Sequence, residues 1–259
     1  MQTLFYKYQG TGNDFVMIDN RQQEFDKNNT KRIAFLCDRR FGIGADGLIL
    51  LEAHDSVDFK MVYFNADGNE SSMCGNGGRC ITAFAKFLGI IENKATFEAI
   101  DGLHEATIDN TIVSLKMQDV DKVERFENHV FLDTGSPHHV QMEPDLKTLD
   151  VKSSGSKIRY SETYGQAGTN VNFVCKNTND NFSVRTYERG VEDETLSCGT
   201  GVTAVALAMH TLGASTSNII ALQTEGGALK VSFETNDNGY ENIWLIGTAT
   251  QVFKGEIND

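Results

Sequence analysis

Positive charge is short in this sequence relative to negative charge. Lysine and arginine number 23 against 36 aspartates and glutamates, for a formal net charge of −13. Nucleic acid and anionic membrane surfaces both need basic patches, so neither is expected as a partner. A small substrate is not excluded, because a local site can be basic on an acidic protein. No apolar run approaches the roughly 20 residues that a membrane helix needs. The opening stretch, Met1 to Lys7, lacks the charged-then-apolar order of an export signal. The expectation is therefore a cytoplasmic chain with reduced cysteines. The five cysteines are odd in number and form no Cys-x-x-Cys pair. Cys74 and Cys80 do not have a usual zinc spacing, so no metal site is expected.

What is present is ordinary in amount and unusual in arrangement. The 259 residues are 40% hydrophobic, enough for one large domain or two ordinary ones. The stretch Leu196-Ser197-Cys198-Gly199-Thr200-Gly201 runs into a helix-like pattern with Val205, Ala208, Met209 and Leu212 on one face. That places a thiol at the mouth of a helix, where uncovered backbone N–H groups stabilise a thiolate or a bound carboxylate. Met73-Cys74-Gly75-Asn76-Gly77 repeats the arrangement 124 residues earlier.

Taken in order, the chain opens as strand, polar turn, strand through Tyr8, Gly10–Asp14 and Phe15–Ile18. A helix is expected over Thr30–Asp38 with Thr30 as N-cap. Strands are expected over Leu48–Leu51 and Phe59–Phe64, then a helix from Gly75 to Leu88, then strands over Thr96–Ile100, His104–Ile108 and Thr111–Met117. The second half reads as strands around Val130–Leu132, Val171–Cys175 and Phe182–Glu188, a helix from Gly199, and strands near Ile219–Thr224, Leu229–Phe233 and Ile243–Ile246.

Sliding the chain on itself by 124 residues puts Glu70 on Glu194, Cys74 on Cys198, Gly77 on Gly201 and Gly102 on Gly226. The helix face Ile81, Phe84, Ala85 and Leu88 lands on Val205, Ala208, Met209 and Leu212. With 24 glycines, some glycine matches are cheap. Cysteines and a helix face in the same register point to duplication. The expected fold is mixed α/β (α+β). Two pseudo-symmetric domains each wrap a mostly antiparallel sheet on a central helix, with the active site in the cleft between them. Residues 1–117 with a returning strand in 249–259 form the first domain and residues 118–248 the second. The charged stretch Asp119–Asn128 is read as the hinge.

If the two helix mouths face each other, a carboxylate held by their N–H groups leaves its α-carbon between two sulfurs. One thiolate can take the α-proton from one face while the other thiol protonates the opposite face. The configuration inverts without metal or organic cofactor. Aimed N–H groups stabilise the charge that develops on the carboxylate. A helix mouth lowers a thiol pKa from about 8.5 toward neutrality. The pair titrates as one unit. Cys37, Cys80 and Cys175 read as small core residues, and His138 by itself as a turn histidine.

At these residues the chain resembles the diaminopimelate epimerase family. The resemblance runs through Gly10–Phe15, Asn65–Glu70, Cys74–Cys80, Asn170-Val171-Asn172, Tyr187–Gly190 and Glu194–Gly201. It implies a cofactor-free enzyme interconverting LL- and meso-2,6-diaminoheptanedioate for lysine and peptidoglycan, with a homodimer as the assembly. Cys198 then takes the proton and Cys74 donates one in the LL-to-meso direction. Gly75, Asn76, Gly199 and Thr200 hold the reacting carboxylate, and Asn13 orients the substrate. Asn65, Asn172 and Arg189 hold the distal carboxylate, a task suited to a bidentate arginine. Glu188 accepts from an amino group, and His138 and Glu188 tune the thiols. Ser136 stands where the family often has asparagine, and Gly47 where some members have glutamine. A proline or hydroxyproline racemase is the nearest rival; such sites tend to have His where Asn76 stands and lack the Glu188-Arg189 clamp. A phenazine-biosynthesis type isomerase lacks the two cysteines. A thiol redox protein and an amino-acid binding module are the rivals of other classes.

Overall fold

The computed structural model describes residues 2–258. The chain forms two compact units, one of residues up to 115 together with 247 onward, the other of residues 116–246.

In the first unit, β1 (Gln2–Gly10) and β2 (Asn13–Asp19) form an antiparallel hairpin. Its turn, Thr11-Gly12, has positive φ at both residues, 51° and 85°. Such turns match the twist of the flanking strands. Helix α1 (Thr30–Cys37) leads to β3 (Gly47–Glu52), which runs parallel to β2 and antiparallel to β4 (Phe59–Asn65). Helix α2 (Gly75–Phe87) leads to β5 (Lys94–Ala99), parallel to β4. β6 (Gly102–Asp109) and β7 (Ile112–Lys116) then continue antiparallel. Alternate residues divide the strands between two cores. Val16, Ile18, Leu48, Leu50, Val62 and Phe64 pack with Ile33 and Leu36 of α1. On α2, Phe84 packs its ring against Tyr6 and Tyr8, with centroids 5.0 and 5.7 Å away.

The second unit opens with β8 (Val123–Arg125), β9 (Val130–Asp133) and β10 (Pro137–Met142), successively antiparallel. Helix α3 (Val151–Arg159) leads to β11 (Asn170–Thr178), which runs parallel to β10 and antiparallel to β12 (Asn181–Glu188). A short β13 (Asp193–Thr195) precedes helix α4 (Gly199–Thr211). β14 (Ile219–Thr224) then lies parallel to β12, and β15 (Gly227–Thr235) and β16 (Tyr240–Thr248) continue antiparallel. The last strand, β17 (Thr250–Asn258), pairs antiparallel with β1 in the first unit.

The order of pairings is the same in both units. β2 to β7 run parallel, antiparallel, parallel, antiparallel, antiparallel, and so do β10, β11, β12, β14, β15 and β16. The strands before them match as well, β17–β1–β2 against β8–β9–β10. In each unit a 13-residue helix begins directly after a cysteine and packs against strands on several sides. The mixed α/β architecture expected from the sequence is the one observed. Details differ from expectation. Asn29, not Thr30, caps α1, its side chain accepting from Arg32 N. The stretch read as a hinge holds β8 and a bridge from Val120 to Tyr240.

Candidate functional site

Cys74 is the N-cap of α2, in extended backbone at φ −102°, ψ 148°. Its Sγ accepts from Gly77 N at 3.3 Å and faces Asn13 Oδ1 at 3.8 Å. Two bonds pin the Asn13 amide: its Nδ2 donates to Asp46 Oδ2 at 2.6 Å, and its Oδ1 accepts from Asn76 Nδ2 at 3.3 Å. Asn76 is in turn held by the buried Arg79, whose Nη2 donates to Asn76 Oδ1 at 3.0 Å and to Thr11 Oγ1 at 2.9 Å. The helix mouth is thus edged by amides whose orientation is fixed from behind. Asn13, Cys74, Gly75 and Asn76 lie together at the mouth of α2. Asp46, Thr11 and Arg79 join them without a sequence pattern of their own, beyond a charged residue inside the glycine-rich start of an otherwise apolar helix.

Asn65 ends β4 opposite Gly47 and is exposed, its main chain closing the turn to Asn69. The absent side chain at Gly47 has a steric reason. A Cβ there would stand 2.5 Å from Phe64 O and from the Tyr63 ring, so Tyr63 fills the space that a longer residue would need.

Cys198 is the N-cap of α4, also extended at φ −111°, ψ 115°, and it is buried. Its Sγ lies 3.4 Å from Thr200 Oγ1, and the Thr200 carbonyl accepts from Thr134 Oγ1 at 2.9 Å. The first turn of α4 rests on Asn172: a Cβ at Gly201 would stand 2.5 Å from Asn172 Oδ1 and 3.4 Å from Cys198 Sγ. Asn172 is fully buried with its amide engaged at both ends. Its Nδ2 donates to His138 Nδ1 and to His139 O, both at 3.1 Å, and its Oδ1 accepts from Thr186 Oγ1 at 3.0 Å. The expected contact with a distal carboxylate would require one of these bonds to break. The position of Asn172 is that of a brace between the helix mouth and the histidine.

His138 accepts at Nδ1, so its proton is on Nε2, which is buried without a partner among the described residues. Burial, reinforced by the positive charge of Arg189, pushes its pKa down to about 3. It is a neutral imidazole at physiological pH. Arg189 is half-buried. Its backbone N donates to Asn170 Oδ1 at 2.9 Å and its Nη1 to Ala167 O at 3.1 Å. Ser136 Oγ accepts from Asn170 Nδ2 at 2.7 Å, so the serine takes part in positioning the arginine through Asn170, a residue the sequence reading did not assign. Glu188 Oε2 accepts from Thr195 Oγ1 at 2.9 Å.

The family described as "Diaminopimelate epimerase" matches residues 5–123 and 130–252. A diaminopimelate epimerase of Flavobacterium psychrophilum is 62% identical over 253 residues, covering 97% of this chain and 99% of that one. One from Chlorobaculum tepidum is 43% identical, covering 96% and 98%. Among solved structures, a phenazine biosynthesis protein from Bacillus anthracis superposes with a TM-score of 0.80 at 13% identity, covering both chains fully. A probable proline racemase from Agrobacterium radiobacter superposes at 0.71 with 14% identity, covering 99% of this chain and 93% of that one. At such identities the last two show a shared fold.

Proposed function

The chain belongs to the diaminopimelate epimerase family of isomerases, and from that premise we propose that Cys74 and Cys198 epimerise LL- and meso-2,6-diaminoheptanedioate by a two-base route. The observation that carries the proposal is the repeat. The same N-cap sulfur opens the central helix of each unit, within the same order of strand pairings.

In the LL-to-meso direction the Cys198 thiolate takes the α-proton, and the C–H electron pair passes into the carboxylate as enediolate. The Cys74 S–H then protonates the opposite face, and its sulfur is left as the thiolate. Charge and protons balance, and the reverse reaction exchanges the roles. Backbone N–H groups of Gly75, Asn76, Gly199 and Thr200 would hold the developing dianion, which is where a preorganised donor contributes most. Asn13 would orient the reacting end. Arg189, with Asn65, would bind the distal carboxylate, and Glu188 would accept from an amino group of the substrate. Asn172 and neutral His138 support the Cys198 half from behind. No organic cofactor or metal enters this scheme. The same resemblance implies a homodimer in lysine biosynthesis.

In deuterium oxide under reducing conditions, LL-diaminopimelate should gain deuterium at an α-carbon while meso product accumulates. L-proline should not exchange. Absence of exchange with diaminopimelate would sink the reading, and faster exchange with L-proline would move it to an imino-acid racemase. Cys74→Ser and Cys198→Ser should each lose epimerisation.

A further inference from the structure

Arg79 is a fully buried guanidinium, and no carboxylate is bonded to it among the described residues. Its hydrogen bonds go to neutral oxygens: Asn76 Oδ1 at 3.0 Å, Thr11 Oγ1 at 2.9 Å and Gly75 O at 3.3 Å. Its Nε is buried without a hydrogen-bond partner among the described residues. A buried charge is costly unless paired, and the usual solution is an anion. Two thiols lie within electrostatic reach of it, Cys80 and Cys74. Burial pushes the Cys80 thiol up to about 12, so it stays protonated. Of these two thiols, Cys74 is the one left to carry a compensating charge.

We infer that Arg79 is a positioning residue of the first half-site: it fixes the Asn76 and Asn13 amides in one orientation and supplies the counter-charge for the Cys74 thiolate. The inference rests on reading Cys74 as a proton-transfer group. The orientation follows from the bonds. With Oδ1 of Asn76 taken by the guanidinium, its Nδ2 points to Asn13 Oδ1. Asp46 holds the other end of Asn13, so Asn13 Oδ1 is the atom presented to Cys74. An amide oxygen accepts from the thiol form. The Gly77 N–H and the Arg79 charge favour the thiolate. A group that must donate in one direction and accept in the other needs both forms near in energy, and this opposition provides it.

Other ionisable groups face this pocket from neighbouring elements. Burial pushes the Asp14 carboxyl up, but bonds from Arg39 and Lys7 outweigh it and hold the group well below the usual range. Asp14 is thus an anion already paired twice. Asp46 is bonded to Arg39 and to Asn13. Tyr8 of β1 is held neutral by burial.

The test is the pH dependence of iodoacetamide alkylation, read peptide by peptide in the full chain. In the unsubstituted protein Cys74 should titrate below the value of about 8.5 for a free thiol. Arg79→Met should raise its pKa by about one unit or more, cutting alkylation at neutral pH roughly tenfold. Arg79→Lys should restore most of it, and the far-UV circular dichroism spectrum should stay unchanged throughout as a control on folding. An unchanged Cys74 profile in Arg79→Met, or a Cys74 pKa at or above the free value in the unsubstituted protein, overturns the inference. If Arg79→Met opens buried Cys80 and Cys37 to the reagent, Arg79→Gln carries the same two outcomes. The readout needs no substrate. Lack of deuterium exchange beside the expected thiol profile would therefore remove the epimerase reading and leave the counter-charge in place.

Discussion

Gly201 has no room for one methyl group. A Cβ there would meet Asn172 Oδ1 at 2.5 Å and the Cys198 Cβ at 3.3 Å. Asn172 cannot yield without losing bonds to His138, His139 or Thr186. Overpacking of this kind costs about 1–3 kcal/mol, and here the strain falls on the atoms that set Cys198. Gly201→Ala should lower the urea midpoint accordingly and lower turnover more than a stability loss explains. A variant equal to the parent in both would show that Asn172 swings aside easily. At this scale the helix-mouth positions of Cys74 and Cys198 were legible, because glycine and polar flanks set them apart from core cysteines. The sequence did not reveal what holds them. The partners of Asn172 come from β10 and β12, and those of Arg79 include Thr11, 68 residues away. Such contacts follow from strand register, which local pattern does not specify.

The two central helices occupy the same place in their units and differ in how they face their surroundings. Every residue from Val202 to Met209 in α4 is buried, whereas α2 has an amphipathic second half with Phe87 exposed. A helix apolar all round belongs inside a domain, and strands β9 to β12, β14 and β15 pack against α4. The apolar face predicted from the repeat holds as far as Met209. Its last member does not: Leu212 is the C-cap and 37% exposed, and Leu88 is likewise the cap of α2. Met209→Ala should therefore cost about 2–5 kcal/mol by denaturant unfolding, and Leu212→Ala well under half of that. Equal costs would mean that the packing around α4 does not end where the helix does. Long apolar helices were legible from sequence, and weaker elements were not. Helix α3, Val-Lys-Ser-Ser-Gly-Ser-Lys-Ile-Arg, buries only Val151, Gly155 and Arg159, too thin a stripe to stand out. Strand β10 begins with Pro137, a residue that argues against a strand except at its first position, where it is found.

At the scale of the whole chain, the duplication explains why the last strand belongs with the first. In the second unit the edge role beside β9 is filled by β8, which precedes it directly. In the first unit the equivalent place beside β1 is filled by β17, from the far end of the sequence. The pairing runs from Gln2↔Asn258 to Gln9↔Thr250, with the Phe5 and Phe253 rings edge-on at 6.0 Å and Tyr8 OH donating to Gln251 Oε1 at 3.2 Å. Helix α2 also packs against β17, so the strand supports the element that carries Cys74. A chain ending at Thr248 would leave the whole β1 edge unpaired and remove Ile257 from the core that Phe5 and Ile33 share. Each unit has an apolar core of its own, the second around Val151, Val171, Phe173 and Tyr187. Hydrogen exchange on the truncated chain should therefore show lost protection in β1, β2 and the start of α2, with β11 and β12 still protected. If β1 stays protected, β17 is dispensable to its unit; if β11 and β12 lose protection equally, the two units do not hold their structure separately.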